Sequence, residues 1–173
     1  MMDILGKAEE QRNALQKVID VIPGWGGYQK RQRRREADRL LRQVLADKLG
    51  EQRRRLSKAQ KELLSHGRLD LVDDVESSVT QLKTFTDRIR FASYGYAGLF
   101  DAVKIREAEL QQLYEFDAAL IEYVERLDTA NDHLLDALPG GEGLEEVLDV
   151  IEEIVREAND TFDGREHMIL GSQ

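Results

Sequence analysis

Residues 110 to 138, LQQLYEFDAALIEYVERLDTANDHLLDAL, decide the fold. Within them Leu110, Leu113, Asp117, Leu120, Val124, Leu127, Asn131, Leu134 and Leu138 recur in steps of three and four without a slip. A helix turns once in about 3.6 residues, so side chains at this spacing form one stripe, and a stripe this apolar is stable only against other helices. The segment therefore predicts a long helix with a coiled-coil-like seam, and it lacks the period-two alternation of a strand. Two seam members, Asp117 and Asn131, are polar. Such residues cost stability unless paired, and their best-attested use is to fix register or partner number. Register is the role expected of both, with a catalytic Asp117 as the alternative reading. Replacing Asp117 by Leu is then expected to stabilise the bundle and scramble its oligomeric state.

Outward from this seam the same periodicity repeats. Val72, Val75, Val79, Leu82, Thr86 and Ile89 set a second seam within residues 69–92, and Ala37, Leu41, Val44, Leu45, Leu49, Leu56, Ala59 and Leu63 form the inner face of residues 28–66. That last segment is long if unbroken at Gly50, and His66-Gly67 supplies its stop. A first amphipathic helix over residues 3–22 ends at Pro23-Gly24-Trp25-Gly26-Gly27. Beyond Pro139-Gly140-Gly141, residues 143–159 read as an acidic helix burying Leu144, Val147, Leu148, Ile151, Ile154, Val155 and Ala158, and residues 160–173 read as a frayed tail. The expected fold is all-α: one domain over residues 1–173, an elongated antiparallel bundle or coiled coil of about five helices. Residues 28–138 would form its centre, with the first and fifth helices docked along it or swapped between subunits.

Charge is sorted along the chain. Residues 28–61 hold 13 Lys/Arg against 4 Asp/Glu, and residues 101–173 hold 5 against 20. Blocks of this kind fold back on each other or meet a charged partner. Lys30, Arg31, Arg34, Arg35, Arg39 and Arg42 are the candidate residues for an anion or a partner, since cations at a helix start oppose its dipole and call for an anionic complement. Trp25 and Tyr28 beside them, and the turn Tyr94-Gly95-Tyr96-Ala97-Gly98-Leu99-Phe100-Asp101, supply aromatic contact residues. Of the latter, Tyr94, Tyr96 and Phe100 suit either a plug over the bundle end or an interface.

Several classes of function are closed or weakened. The 173 residues contain no cysteine, which removes disulfides, thiolate metal sites and thiol nucleophiles. The histidines, His66, His133 and His167, do not follow a Glu at the spacing of a carboxylate-bridged di-iron bundle. Neither a phosphate-binding loop nor a nucleophile elbow is present. No metal, cofactor or catalytic residue is assigned, and the chain reads as a non-enzyme. A net charge of −9 opposes nucleic-acid binding. No apolar run approaches the length of a membrane span, and the start lacks a long apolar stretch, so a cytoplasmic location is expected.

Ile22-Pro23-Gly24, Gly27-Tyr28, Lys30, Arg34-Arg35-Glu36 with Asp38, and the Tyr94 to Asp101 turn together resemble a group of small bacterial helical proteins of uncharacterised activity. That resemblance implies the helical fold and no site residue. The layout of amphipathic first helix, basic second helix and acidic C-terminal helices also looks like that of membrane-remodelling proteins of the ESCRT-III and phage-shock type. From the residues themselves, the expected function is a helical scaffold or adaptor that self-associates or binds a protein partner, with Arg31, Arg35 and Arg42 meeting acids of the fourth and fifth helices. The alternative is a binder of anionic membrane surfaces whose basic helix is covered by the acidic C-terminal segment.

Overall fold

The computed structural model of the chain describes residues 16–21, 31–92 and 107–171, with side chains for 16–21, 38–92 and 111–168. Lys30, Trp25, Tyr28, Tyr94, Tyr96 and Phe100 lie outside the described residues, as do the side chains of Arg31, Arg34 and Arg35. The helices are α1 (residues 16–21), α2 (Arg31–Ser65), α3 (Val72–Phe91, after a 3-10 turn at Leu69–Leu71), α4 (Glu107–Ala137) and α5 (Leu144–Gly171). No strand occurs among them, and the chain is an all-α helical bundle.

Two hairpins make up the bundle. α2 ends in a Schellman turn: Arg68 N–H donates to Leu63 O at 3.0 Å and Gly67 N–H to Leu64 O at 3.1 Å. Gly67 has a φ of 73°, which only glycine adopts without strain. α4 ends on the simpler form, Gly141 N–H donating to Ala137 O at 2.9 Å with a φ of 71° at Gly141. The two turns lie side by side, since Arg68 Nη1 donates to Gly141 O at 3.4 Å. α3 carries Asp73 and Asp74 in its first turn and Arg88 and Arg90 in its last, matching the helix dipole at both ends.

The hairpins pack with α2 against α3 and α4, and α5 against α3 and α4, so α2 and α5 occupy diagonal corners. Contacts between α2 and α4 keep one offset: Gln52 meets Asn131, and Asp38 and Asp117 share a partner. Both pairs are 79 positions apart, so α2 and α4 run parallel within a bundle whose hairpins are antiparallel. Phe85 meets Phe162 edge to face at 6.0 Å between ring centroids, which pairs α3 with α5.

The seam of α4 is buried as its spacing requires, from Leu113 through Leu138. In α3 the buried positions are Val75, Ser78, Leu82, Phe85, Thr86 and Ile89, while Val72 and Val79 are half-buried. α2 runs through Gly50 without a break; interior glycine costs about 1 kcal/mol, and the buried flanks Ala46, Leu49 and Leu56 offset it. Val18 of α1 is 1% exposed and belongs to the same core.

One expectation is overturned. Residues 160–171 are not frayed: α5 continues to Gly171, and Phe162 and Arg165 are each 1% exposed. The fifth helix is a full wall of the bundle, its core row Ile151, Val155, Ala158 and Phe162 extending to Arg165 at the same three-to-four spacing.

Candidate functional site

At the end of the bundle where α2 and α4 begin, four charged side chains meet in the interior. Asp38 and Arg42 come from α2, Asp117 from α4 and Arg165 from α5, and none exceeds 6% exposure. Arg165 Nε donates to Asp117 Oδ1 at 2.7 Å, and Arg165 Nη2 donates to Asp38 Oδ1. Arg42 Nε donates to the second oxygen of Asp38 at 2.9 Å, and Arg42 Nη1 reaches Ile89 O of α3 at 3.5 Å. Among the described residues the layer holds two cations and two anions, and all four long helices supply a group to it.

The chemistry of this layer follows from its burial. Removing charges from water is expensive, and the Coulombic gain repays it only with good geometry and further hydrogen bonds. Burial pushes the Asp117 carboxyl above the ordinary aspartate range; Arg165 and Arg42 pull it down, and the nearby Asp38 charge adds to the upward push. Asp117 is thus a sealed structural carboxylate with one face already bonded to Arg165. Its expected register role now has named partners, which the seam pattern alone did not supply.

Asn131 forms a second polar layer, four turns along. Its Nδ2 donates to Gln52 Oε1 at 2.9 Å, and Asn131 is 1% exposed. Gln52 Nε2 donates onward to Asp128 Oδ1 at 2.8 Å, and Arg55 bonds Asp128 at 2.6 Å and also Asp132. The basic block of α2 is therefore partly balanced inside the chain, by α4. A matching set joins α3 to α5, where Arg88 donates to Asn159 at 2.9 Å, to Glu166 at 3.1 Å and to Asp163. Sequence reasoning passed over Asp38 and Arg165; the signal for Arg165 was its place on the core row of α5.

Arg42, expected among the anion- or partner-binding cations, is instead buried within the layer. It bonds Asp38 of its own helix, and its charge also reaches Asp117 of α4. Arg39 is exposed. Over the described part of α2, α5 sits at the diagonal corner and packs on α3 and α4.

That diagonal leaves two opposed ridges. α2 holds twelve Lys/Arg against five Asp/Glu, and among its described side chains the exposed cations are Arg39, Lys48, Arg54, Lys58 and Lys61. α5 holds nine Asp/Glu against two Arg, with Glu145, Glu146, Asp149, Glu152, Glu153 and Asp160 exposed. No group of three or more His, Cys, Asp or Glu side chains among the described residues is arranged to hold a metal ion. No helix among them is long and apolar enough to cross a membrane.

Compared with known protein families, with curated proteins and with solved structures, the chain matches none.

Proposed function

We propose that the chain is a non-enzymatic helical scaffold or adaptor that acts by binding protein, another copy of itself included. The observation that carries this reading is the placement of a basic ridge on α2 and an acidic ridge on α5 at opposite corners of one bundle. Opposed charged faces steer and orient association. A catalytic reading draws little support from Asp117, whose carboxylate is 2% exposed and faces Arg165 instead of a cleft. The cysteine-free composition suits a reducing compartment, and the cytoplasm is the proposed site of action.

Light-scattering mass at 50 mM and 500 mM salt, with anionic-liposome co-sedimentation on the same samples, tests the proposal. An assembly that loosens at high salt and ignores liposomes is the expected result. A monomer that pellets with liposomes at low salt would move the function to membrane surfaces, with the exposed cations of α2 as the contact. Removing residues 139–173 to unmask α2 is not a usable variant, because it deletes the α5 wall and with it Arg165.

A further inference from the structure

Along the outer seam between α4 and α5 lie two open stretches of groove. One part, about 370 Å³, is lined by Glu122, Glu125, Arg126, His133, Val150 and Ile154, among others. A second part, about 390 Å³, lies further along the same helix pair and is lined by residues such as Glu115, Phe116, Thr161 and Met168. Arg126, the Lys/Arg among the described lining residues of the first part, is committed, since its Nη1 bonds Glu157 at 2.7 Å. The groove edge is therefore acidic, with a floor that includes the exposed Val150. It already accepts a cation from within the chain: Lys17 Nζ lies 3.5 Å from Glu122.

At the corner diagonal to α5, α2 presents Arg54, Lys58, Lys61 and Leu64 at steps of four, three and three, all exposed. Leu64 is 48% exposed, and past the turn Leu69 is 66% exposed. At 1.5 Å of rise per residue, Arg54 to Leu64 spans about 15 Å, and Glu122 to His133 spans about 16 Å. The ridge matches the groove in length and in having an apolar group at one end, and is opposite to it in charge.

Resting on the scaffold reading above, we infer that the partner is a second copy of this chain, whose α2 ridge seats in the α4–α5 groove. Cations Arg54, Lys58 and Lys61 lie along the acidic edge formed by Glu122 and Glu125, and Leu64 reaches Val150. This orientation sets the incoming α2 parallel to α4, the same sense that α2 and α4 have inside the bundle. Donor and acceptor surfaces are different patches of one molecule, so the contact is heterologous. It does not close after two copies and grows as a row or a ring.

Charge-reversal pairs on the full chain test this, with circular dichroism verifying that each variant folds. Lys58→Glu with Lys61→Glu makes the ridge acidic, and Glu122→Lys with Glu125→Lys makes the groove basic. Sedimentation velocity of the wild type at 50 mM salt is expected to show species heavier than the 19.8 kDa chain. Each double variant alone is expected to sediment as a monomer, and an equimolar mixture should regain association, because each ridge then faces a groove of opposite sign. Leu64→Ser is expected to weaken self-association about tenfold without altering its salt dependence. A wild type that assembles while both reversal variants assemble equally well would overturn the groove assignment and leave the scaffold reading standing. A wild type that stays monomeric would overturn self-assembly, and if it also pellets with anionic liposomes the scaffold reading falls with it.

Discussion

Two polar layers cross the same pair of helices, and they are built on different terms. The layer at Asp38 and Asp117 is ionic, touches all four long helices and is closed to water. The layer at Gln52 and Asn131 is an amide pair between α2 and α4 that drains outward through Asp128 and Arg55. Both sit at the same 79-residue offset and so are compatible with one register. They differ in what failure costs: a broken ionic layer leaves buried charge behind, whereas a broken amide layer leaves a buried dipole.

The largest effect should come from Arg165. Arg165→Leu removes the cation that bridges both aspartates and leaves Asp117 buried against Asp38, so a loss of about 3–5 kcal/mol is expected in urea unfolding. Replacing all four charged members with apolar residues of similar volume should recover most of that loss. If Arg165→Leu unfolded within about 1 kcal/mol of the wild type, the layer would not carry the weight its geometry implies. The same structure reverses the sequence-based expectation for Asp117→Leu. That change takes from Arg165 its 2.7 Å carboxylate partner inside the bundle, and it should destabilise the fold.

The ionic layer also has a pH signature. Because burial raises the Asp117 carboxyl above the ordinary aspartate value of 3.8, the folded chain holds that proton more tightly than the unfolded one. The stability contributed by Asp117 is thus fully present below 3.8 and is lost as pH rises through its folded value. The unfolding free energy of the wild type minus that of Asp117→Asn should fall with rising pH across this window and stay flat above it. A difference that instead rose with pH would mean that Arg165 outweighs burial.

Asn131→Leu sharpens the comparison from the other side. It leaves Gln52 Oε1 without its buried donor while Gln52 Nε2 keeps Asp128, so a cost of about 1–2 kcal/mol is expected in urea unfolding. Asn131 Oδ1 accepts no hydrogen bond from the described residues, which reduces what the amide layer has to lose.

How much of this could be read from the sequence follows the same division. Apolar seams were legible because period alone reports them: Leu113, Leu120, Val124, Leu127 and Leu134 are buried where their spacing puts them. Asp117 and Asn131 were legible as exceptions within a seam. Their partners were not, because Asp38 and Gln52 look like ordinary helix-surface residues until the chain that faces them is known, and Arg165 continues a core row only if the helix is carried past residue 159. The C-terminal tail was missed for a related reason. Asn159, Asp160, Thr161, Asp163 and Gly164 are weak helix formers, and tertiary packing overrides them through Phe162, Arg165 and the close approach of Phe116 to Gly164. Charge segregation was legible as a quantity along the chain; its placement on diagonal corners required the fold.

The smallest effect should be at the outer edge of the amide layer. Arg55 is 21% exposed and bonds Asp128 and Asp132, whose side chains are 57% and 64% exposed. Pairs this wet gain little from Coulomb attraction and lose side-chain freedom on forming, so Arg55→Ala should cost about 0.2–1 kcal/mol and cost less at high salt. If Arg55→Ala matched Asn131→Leu in size at 500 mM salt, the arginine would be holding Gln52 in place through its 3.4 Å contact with Oε1, and the amide layer would then extend to the surface as one cooperative unit.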